Sequence, residues 1–233
     1  MNIIITGASK GIGRAIVKAF AKSENQLLIC SRHEKELIEM VAELHKTIPE
    51  ANIKYRATYL GNKSDVKAFA EWCLTFGVPD ILINNAGQFI PGSIHSEEDG
   101  LLDKMLEINL YSAYNLTRKL LPSMMKRKSG HIFNVCSIAA LQAYANGGSY
   151  SISKFALMGF SKNLREELKP YGIKVTAVSP GATMSSSWAG SDIDPKRIME
   201  ANDIATMIYA ASQLSEQAVV EDIIMRPQLG DLN

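Results

Sequence analysis

Two hydrophobic patterns alternate along the chain. Short runs that are apolar at nearly every position are typical of strands buried on both faces of a parallel sheet. Longer segments with apolar residues three and four positions apart predict helices with one buried face. The predicted strands span residues 2–6, 26–30, 53–60, 80–83, 131–136, 173–179 and 222–225. The predicted helices span residues 12–20, 34–46, 64–75, 101–125, 150–169 and 204–214.

This alternation predicts an α/β fold in which a mostly parallel, seven-stranded sheet carries helices on both faces. Because no linker rich in Pro, Gly or Ser interrupts the pattern, we expect residues 1–233 to form one domain. The stretch 184–202 is polar and rich in turn residues, with Met184 and Trp188 embedded in it. It is the candidate for a short lid over a substrate.

A glycine-rich loop joins the first strand to the first helix. Its glycines fall in the pattern G-x-x-x-G-x-G, which allows a tight turn, close approach of the backbone to a pyrophosphate and a helix N-terminus aimed at the anion. A merely flexible turn is the alternative, and the strand before and the helix after argue against it. The candidate cofactor contacts in this loop are Gly7, Ser9, Lys10, Gly11, Ile12 and Gly13.

The end of the second strand carries the candidate reader of the cofactor's ribose. An acidic residue there favours NAD, but this chain has Ser31 and Arg32. Lys10 adds a second cation from the glycine loop, and we expect no carboxylate close to the two. Since an arginine can hold a phosphate through two hydrogen bonds, this pattern predicts NADP(H), with NAD(H) the less favoured cofactor. The alternative is that Arg32 is a surface residue at the start of a helix.

Tyr150 and Lys154 are the candidate acid and its electrostatic partner. Residues four apart on a helix share a face, so both side chains can enter one pocket. A cation about 5 Å away, at an effective dielectric constant of roughly 20, stabilises a phenolate by about 3 kcal/mol and lowers its pKa by about 2. We therefore expect Lys154 to lower the pKa of Tyr150. An exposed Tyr and Lys on an ordinary helix are the alternative.

Ser137 precedes Tyr150 with twelve residues between them, and the chain also carries Thr6-Gly-Ala-Ser-Lys-Gly-Ile-Gly13 and Asn84-Asn-Ala-Gly87. With these four motifs in this order, residues 2–181 resemble the short-chain dehydrogenase/reductase family, and in particular its 3-oxoacyl-[acyl-carrier-protein] reductases. The resemblance implies a Rossmann-type, doubly wound fold. It also implies an enzyme that transfers a hydride between a nicotinamide cofactor and a carbonyl/alcohol pair.

The resemblance assigns catalytic roles to four residues. Tyr150 acts as the proton donor, and Lys154 supports it and holds the nicotinamide ribose. Ser137 polarises the substrate carbonyl; with no His base and no G-x-S-x-G elbow it is a weak candidate nucleophile. Asn109 matches the fourth catalytic position, where a local helix distortion lets an Asn hold a water that relays protons. Alternatively, its amide simply bonds a neighbouring backbone group.

Further cofactor contacts follow from the resemblance. The turn formed by Asn84, Asn85, Ala86 and Gly87 braces the central strands and lines the cofactor channel. Pro180, Gly181 and Thr183 lie against the nicotinamide, with Ser185 as an alternative to Thr183. Relatives often carry an Asp that contacts adenine, followed by an apolar residue; this chain has Tyr59 and Leu60 there, so Leu60 is expected as a backbone or packing contact and Tyr59 as a candidate for stacking. The predicted helices 101–125 and 150–169 pack against a second subunit, which implies a homodimer or homotetramer.

Composition excludes several other classes of function. With 25 basic and 24 acidic residues, the formal net charge is +1, so the chain has no general attraction for nucleic acid or an anionic membrane. The three cysteines lack the spacing of metal ligands, and no cluster suggests a metal. We interpret all three as reduced thiols of a cytoplasmic protein. We expect Cys136 to be a buried thiol on a strand. No apolar run is long enough to span a bilayer.

The sequence therefore predicts an NADP(H)-dependent carbonyl reductase acting on a small molecule. A silent NADP(H)-binding sensor or scaffold of the same fold is the alternative, and a lyase or epimerase is disfavoured by the short C-terminal region. The substrate stays open among a mid-sized ketone or aldehyde, a 3-oxoacyl thioester and a pterin side chain. Candidates for the substrate wall are Gln88, Phe89, Ile138, Leu141, Gln142, Tyr144, Met184 and Trp188.

Overall fold

The computed structural model describes residues 1–22, 24–184 and 193–232. In these residues seven strands pair in parallel to form one sheet. The strands are β1 (Asn2–Thr6), β2 (Gln26–Ser31), β3 (Asn52–Ala57), β4 (Ile81–Asn84), β5 (Gly130–Val135), β6 (Ile173–Pro180) and β7 (Asp222–Met225). Their order across the sheet is β3-β2-β1-β4-β5-β6-β7. The predicted doubly wound α/β fold is confirmed.

Helices cover both faces of the sheet. They are α1 (Gly11–Phe20), α2 (Glu34–Thr47), α3 (Lys63–Leu74), α4 (Leu101–Leu106), α5 (Ser112–Arg127), α6 (Gly148–Leu168) and α7 (Ala201–Ser212). Successive residues of a strand point to opposite faces, so neighbouring isoleucines of β1 serve different helices. Ile3 and Ile5 belong to the core under α1, α2 and α7, whereas Ile4 packs with α3, α5 and α6.

The predicted 53–60 strand ends early. β3 stops at Ala57, since the chain turns at Tyr59 to reach Asn62, whose side chain accepts hydrogen bonds from the first backbone N–H groups of α3. An N-cap of this kind stabilises the start of a helix and fixes where the preceding turn must be.

The predicted helix 101–125 is interrupted. Between α4 and α5 lies a π-helical turn, Glu107–Tyr111, that holds Asn109. A π-helical turn inserts one extra residue into the helix and redirects the side chains around it. A hydrophobic repeat alone gives no sign of such an insertion.

Part of the predicted lid lies outside the described residues, namely 185–192. In the described remainder, Met199 pairs with Thr183 in a short parallel bridge. The helix α7 begins at Ala201 instead of at residue 204. Among the described residues, no helix combines the length and apolar character needed to cross a membrane.

The sheet brings the predicted site residues to one edge. The glycine loop follows β1, Arg32 follows β2, the Asn-Asn-Ala-Gly turn follows β4, and Ser137 follows β5. Because all strands run parallel, these carboxyl ends meet on the same side. The strand order reverses between β1 and β4, where open α/β sheets form their ligand crevice.

Candidate active site

A cavity of about 930 Å³ lies along this edge of the sheet. It is long enough to connect the glycine loop at one end with the Tyr150 region at the other. Of the predicted site residues, those that line it are Gly7, Ser9, Lys10, Gly11, Ile12, Gly13, Ser31, Arg32, Leu60, Asn85, Ala86, Gly87, Ser137, Tyr150, Lys154, Pro180, Gly181 and Thr183. Asn84 and Asn109 lie behind its wall.

The glycine loop leaves an open cradle at the N-terminus of α1. Gly7 has a positive φ of 64°, and a Cβ atom on Gly13 would lie 2.1 Å from the Gly7 carbonyl oxygen. Asn85 fastens this arrangement, since its Nδ2 donates to the carbonyl oxygens of Thr6 and Gly7 over 2.9 and 3.1 Å. Among the described residues no side chain caps α1. Its first N–H groups therefore suit an anion such as a pyrophosphate.

Ser137, Tyr150 and Lys154 meet at the other end of the cavity. Ser137 follows β5, and its Oγ accepts a hydrogen bond from the Ala139 N–H over 3.1 Å. Tyr150 lies in the first turn of α6, where the Ser137 side chain acts to lower the pKa of its phenol. Lys154 lies one turn further on; its Nζ is 5.8 Å from the centre of the Tyr150 ring and donates to the Val135 carbonyl over 2.9 Å. The predicted set is assembled in one place.

A model of the short-chain dehydrogenase family matches residues 1–195. The chain belongs to that family. It is therefore an oxidoreductase, as the names of its relatives also state. The 3-oxoacyl-[acyl-carrier-protein] reductase subtype is not singled out by these relatives.

Relatives of this short-chain dehydrogenase match it over nearly its whole length. An uncharacterized oxidoreductase of Staphylococcus epidermidis is 30% identical over 226 residues, which cover 96% of each chain. A metagenomic short-chain oxidoreductase solved with NADP is 28% identical, with 97% of each chain covered and a TM-score of 0.83. L-Sorbose reductase from Gluconobacter frateurii, solved with NADPH and L-sorbose, is 27% identical, with 95% of this chain and 93% of that chain covered and a TM-score of 0.86.

Burial governs the protonation of the Tyr150 and Lys154 pair. Loss of water raises the pKa of Tyr150 to about 12, against the opposing effect of the hydrogen bond from Ser137. Burial also lowers the pKa of Lys154 to about 8. The expected fall in the pKa of Tyr150 is therefore wrong, because desolvation is the largest effect on this phenol. The Lys154 ammonium group is bonded to the Val135 carbonyl and lies over the Tyr150 ring.

Asn109 uses its amide on protein groups. Its Oδ1 accepts from the Gln88 N–H over 2.7 Å, and its Nδ2 donates to the Gln88 carbonyl over 3.0 Å and to Ser153 Oγ over 2.9 Å. The local helix distortion that the family resemblance implied is present. The side chain bonds neighbouring backbone, as the alternative interpretation has it, and holds the segment beside Gly87 against α6, while the water relay stays a prediction.

Asn84 is a brace between strands and does not contact the cavity, which corrects its prediction as a cofactor contact. Its Nδ2 donates to Thr117 Oγ1 over 3.0 Å and to Asn134 Oδ1 over 2.8 Å. The Nδ2 donors are thus taken by β5 and α5, whereas the buried Oδ1 has no hydrogen-bond partner among the described residues. The remaining members of the turn, Asn85 to Gly87, face the cavity as predicted.

The ribose end of the cavity holds a carboxylate that the sequence analysis missed. Glu36 lies in the first turn of α2 and accepts from Lys10 Nζ over 2.8 Å and from Ser9 Oγ over 3.1 Å. The expectation of no carboxylate near Lys10 and Arg32 is therefore wrong. Its physical reason is helical geometry, since the first turn of α2 brings Glu36 back beside the glycine loop. The position of Glu36 in the first predicted helical turn after Arg32 was the available signal.

The described C-terminal residues add a wall that had no sequence signal. Asp231 and Leu232 line the cavity, and Asp231 forms an ion pair with Arg226. A Cβ atom on Gly181 would lie 3.3 Å from Asp231 Oδ1, which places this carboxylate beside the Pro180-Gly181 turn. Thr183 Oγ1 donates to the Gly181 carbonyl over 2.9 Å. Ser185, the alternative to Thr183, lies outside the described residues.

The predicted substrate wall is only partly correct. The cavity is lined by five of its members, namely Gln88, Phe89, Ile138, Gln142 and Tyr144. Leu141 and Met184 do not line it, and Trp188 lies outside the described residues. Phe89 packs edge-on against the Tyr150 ring, with 4.8 Å between the ring centres, and so helps to exclude water from the phenol.

Cys136 is adjacent to Ser137 but is not a nucleophile. Its side chain is buried, and burial raises the pKa of the thiol to about 11. The reactive form of a cysteine is the thiolate, which is negligible at neutral pH with such a pKa. The prediction of a buried thiol is confirmed.

Proposed function

We propose that this oxidoreductase uses NADP(H) to reduce a carbonyl group of a small molecule reversibly to an alcohol. The observation that carries the proposal is the grouping of Ser137, Tyr150 and Lys154 at one end of a cavity whose other end is an anion cradle. Two relatives of known structure support the cofactor, since one was solved with NADP and the other with NADPH and a sugar ketone.

The residues around the cavity fit NADP(H). The uncapped N-terminus of α1 and the space left by Gly7 and Gly13 suit the pyrophosphate. Ser31 Oγ is buried and has no hydrogen-bond partner within the described residues, and the exposed Arg32 beside it lines the same end of the cavity. Together they suit a phosphate on the ribose. The middle and far walls are supplied by Ile12, Leu60, Asn85, Ala86, Gly87, Pro180, Gly181 and Thr183.

When bound, NADP(H) supplies or accepts the hydride, and the side chains of the chain handle the proton. Ser137 Oγ donates a hydrogen bond to the substrate oxygen. Tyr150 is a neutral phenol at neutral pH, which is the form that can give its proton to that oxygen in the reductive direction. Lys154 stabilises the phenolate that forms, because its pKa of about 8 leaves it mostly cationic at pH 7.

Asn109 acts by positioning in this proposal. Its two hydrogen bonds to Gln88 hold the segment 85–89, and its bond to Ser153 ties that segment to α6 one residue before Lys154. A Cβ atom on Gly87 would lie 3.2 Å from Asn109 Oδ1 and 3.4 Å from Lys154 Nζ. Any side chain at Gly87 would therefore press on both groups.

The test is Tyr150→Phe, assayed by NADPH consumption with a panel of aldehydes, diketones, ketoses, 3-oxoacyl thioesters and pterin ketones. We expect turnover on the accepted class to fall by about 10²- to 10⁴-fold, because the proton donor is lost. NADPH affinity, measured by fluorescence titration, should stay within about twofold, since most cofactor contacts lie elsewhere.

Tyr55→Phe is the matched control, since Tyr55 lies on the edge strand β3 and does not line the cavity. Near-normal turnover in Tyr150→Phe would sink the proposed role of the phenol. Tight NADPH binding by the wild-type protein with no turnover on any class would favour the silent sensor.

We further propose that α5 and α6 form a subunit interface. Exposed apolar side chains project from these helices and from the π-helical turn, namely Tyr111, Tyr114, Ile152 and Phe155. Large apolar side chains exposed together are typical of surfaces that pack against a partner. A homodimer or homotetramer built through this face agrees with the arrangement implied by the family resemblance.

A further inference from the structure

Glu36 pairs with one of the positively charged side chains at the ribose end of the cavity, that of Lys10. Its two carboxylate oxygens are engaged separately, Oε1 by Lys10 Nζ at 2.8 Å and Oε2 by Ser9 Oγ at 3.1 Å. Lys10, Ser9, Arg32 and Glu36 all line the same cavity. One of the two cations that could meet a ribose phosphate is thus already paired.

The carboxylate is ionised at neutral pH. The hydrogen bond from Lys10 holds the pKa of Glu36 below its usual value, with a further contribution from Ser9 against the opposing effect of burial. The side chain is also accessible from the cavity, with 28% of it exposed. A nucleotide that enters the cavity therefore meets a negative charge between the glycine loop and Arg32.

The two nicotinamide cofactors differ at the atom that meets this charge. The 2′-phosphate of NADP(H) is an anion, which is repelled by a carboxylate and must draw Lys10 and Ser9 away from it. The free 2′-hydroxyl of NAD(H) is a donor that a carboxylate can accept. Arg32 and Ser31 act in the opposite sense, since they favour the phosphate.

We propose that Glu36 is a specificity-determining residue that weakens the preference of this chain for the 2′-phosphate. In this arrangement Lys10 exchanges partners, bonding Glu36 when the ribose is unphosphorylated and the phosphate when NADP(H) is bound. The inference rests on the proposed NADP(H) function and adds that NAD(H) is a second, usable cofactor. Arg32 sets the preference and Glu36 limits it.

The test is the variant Glu36→Gln, which keeps the shape of the side chain and an oxygen for Lys10 but removes the charge. Dissociation constants for NADPH, NADH, 2′-AMP and 5′-AMP are measured by calorimetry, without any reaction. We expect the ratio of the NADH constant to the NADPH constant to rise about tenfold, the effect of removing one charge near a phosphate. The ratio of the 5′-AMP constant to the 2′-AMP constant should rise in parallel.

The matched control is Glu34→Gln. Glu34 lies in the same first turn of α2, is exposed, does not line the cavity and forms no ion pair with the described residues. The substitution Glu34→Gln removes the same charge from the same helix end, so we expect both ratios of dissociation constants to stay within about twofold of wild type. A similar rise in Glu34→Gln and Glu36→Gln would overturn the inference, because it would report net charge alone.

Arg32→Gln separates this inference from the proposed function. If Glu36→Gln leaves both ratios unchanged while Arg32→Gln abolishes the preference for NADPH, Glu36 has no such role and the NADP(H) proposal stands. If Arg32→Gln also leaves NADPH binding unchanged, the cofactor assignment itself fails. A rise in both ratios in Glu36→Gln that is lost on adding Lys10→Gln confirms the exchange of partners.

Discussion

Tyr150, Lys154 and His131 are all removed from water, and each is shifted toward its neutral form. Desolvation raises the pKa of Tyr150 and lowers the pKa of Lys154 and of His131. The first two face the cavity, where binding of a charged ligand can change their balance. His131 is enclosed in the sheet, between its partner Thr176 and the ring of Phe133, so its state depends on folding alone.

His131 predicts a dependence of stability on pH. Its Nε2 lies 2.7 Å from Thr176 Oγ1, whose own hydrogen goes to the Val220 carbonyl, so Nε2 is the donor in this pair. Burial lowers its pKa from 6.5 to about 3. Between these values the unfolded chain binds one proton more than the folded chain. The free energy of unfolding should therefore fall, as the pH is lowered, by about 1.4 kcal/mol per pH unit from this residue.

The variant His131→Gln keeps a donor for Thr176 but does not titrate in this range. Urea unfolding of both proteins at several values between pH 4 and 6 isolates the contribution, because all carboxylates are shared. We expect the slope of unfolding free energy against pH to be smaller in the variant, by the amount that corresponds to the uptake of about one proton on unfolding. Equal slopes would show that His131 is protonated in the folded state.

For single residues, the sequence was a better guide to which side chains form the candidate site than to their protonation states. Ser137, Tyr150 and Lys154 were found from their spacing together with the glycine and Asn-Asn-Ala-Gly motifs of the family, since a helix turn and a strand end decide where they lie. The direction of the Tyr150 pKa was wrong because desolvation depends on Phe89 and other neighbours that are distant in sequence. Glu36 was missed for a similar reason, as its contact with Ser9 joins the first turn of α2 to the glycine loop.

The helix that carries Tyr150 is capped from outside. Glu97, in the segment between β4 and α4, accepts from the Ser149 N–H over 2.9 Å and from Ser149 Oγ over 2.5 Å. A carboxylate at a helix N-terminus satisfies free N–H groups and matches the helix dipole. Gly148 leaves room for it, because a Cβ atom there would lie 1.9 Å from Glu97 Oε1.

Removal of this cap should loosen the start of α6. We expect Glu97→Ala to reduce the free energy of unfolding by about 1 to 3 kcal/mol, the range for a lost cap and a charged hydrogen bond. Turnover should fall as well, since Tyr150 directly follows Ser149. Glu98→Ala is the control, because Glu98 is exposed. Chemical denaturation gives the first quantity, and a variant as stable as Glu98→Ala would rule out the cap.

Helices and strands were predictable as units from the hydrophobic pattern, but their interruptions were not, and the distortion at Asn109 was implied only by the family resemblance. The fully apolar runs of β1 and β2 and the stripes of α1 and α2 identify those elements directly. The π-helical turn at Glu107–Tyr111 is invisible in a 3.6-residue repeat, because it is stabilised by what Asn109 bonds on other segments. The hydrophobic pattern of a segment predicts only the structure of that segment, whereas the π-helical turn depends on contacts with other segments.

At the scale of the whole molecule, one edge of the sheet collects the site, and the helices α5 and α6 leave apolar groups exposed beside it. Phe155 is 45% exposed and Tyr111 is 48% exposed. Burial of such side chains between two copies would fix the outer face of α6, and with it the helix that carries Tyr150 and Lys154.

We expect the wild-type chain to sediment as a dimer or tetramer of a 25.6 kDa subunit at micromolar concentration. Phe155→Asp should shift the mass toward the single subunit, because a charge in an apolar interface is costly. Ile38→Asp is the control, since Ile38 is exposed to a similar degree on α2, on the other face of the sheet. A wild-type protein that sediments as a single subunit contradicts the proposed interface.

The three cysteines lie in β2, in α3 and directly after β5, and each is free and at most 3% exposed. A thiol-reactive dye can label such groups only when the surrounding structure opens. The native protein should thus stay almost unlabelled, and the labelling rate at each position reports how often that region opens. Cys136 lines the cavity whereas Cys73 is remote from it, so unequal protection by an added nucleotide would reveal binding without any enzymatic assay.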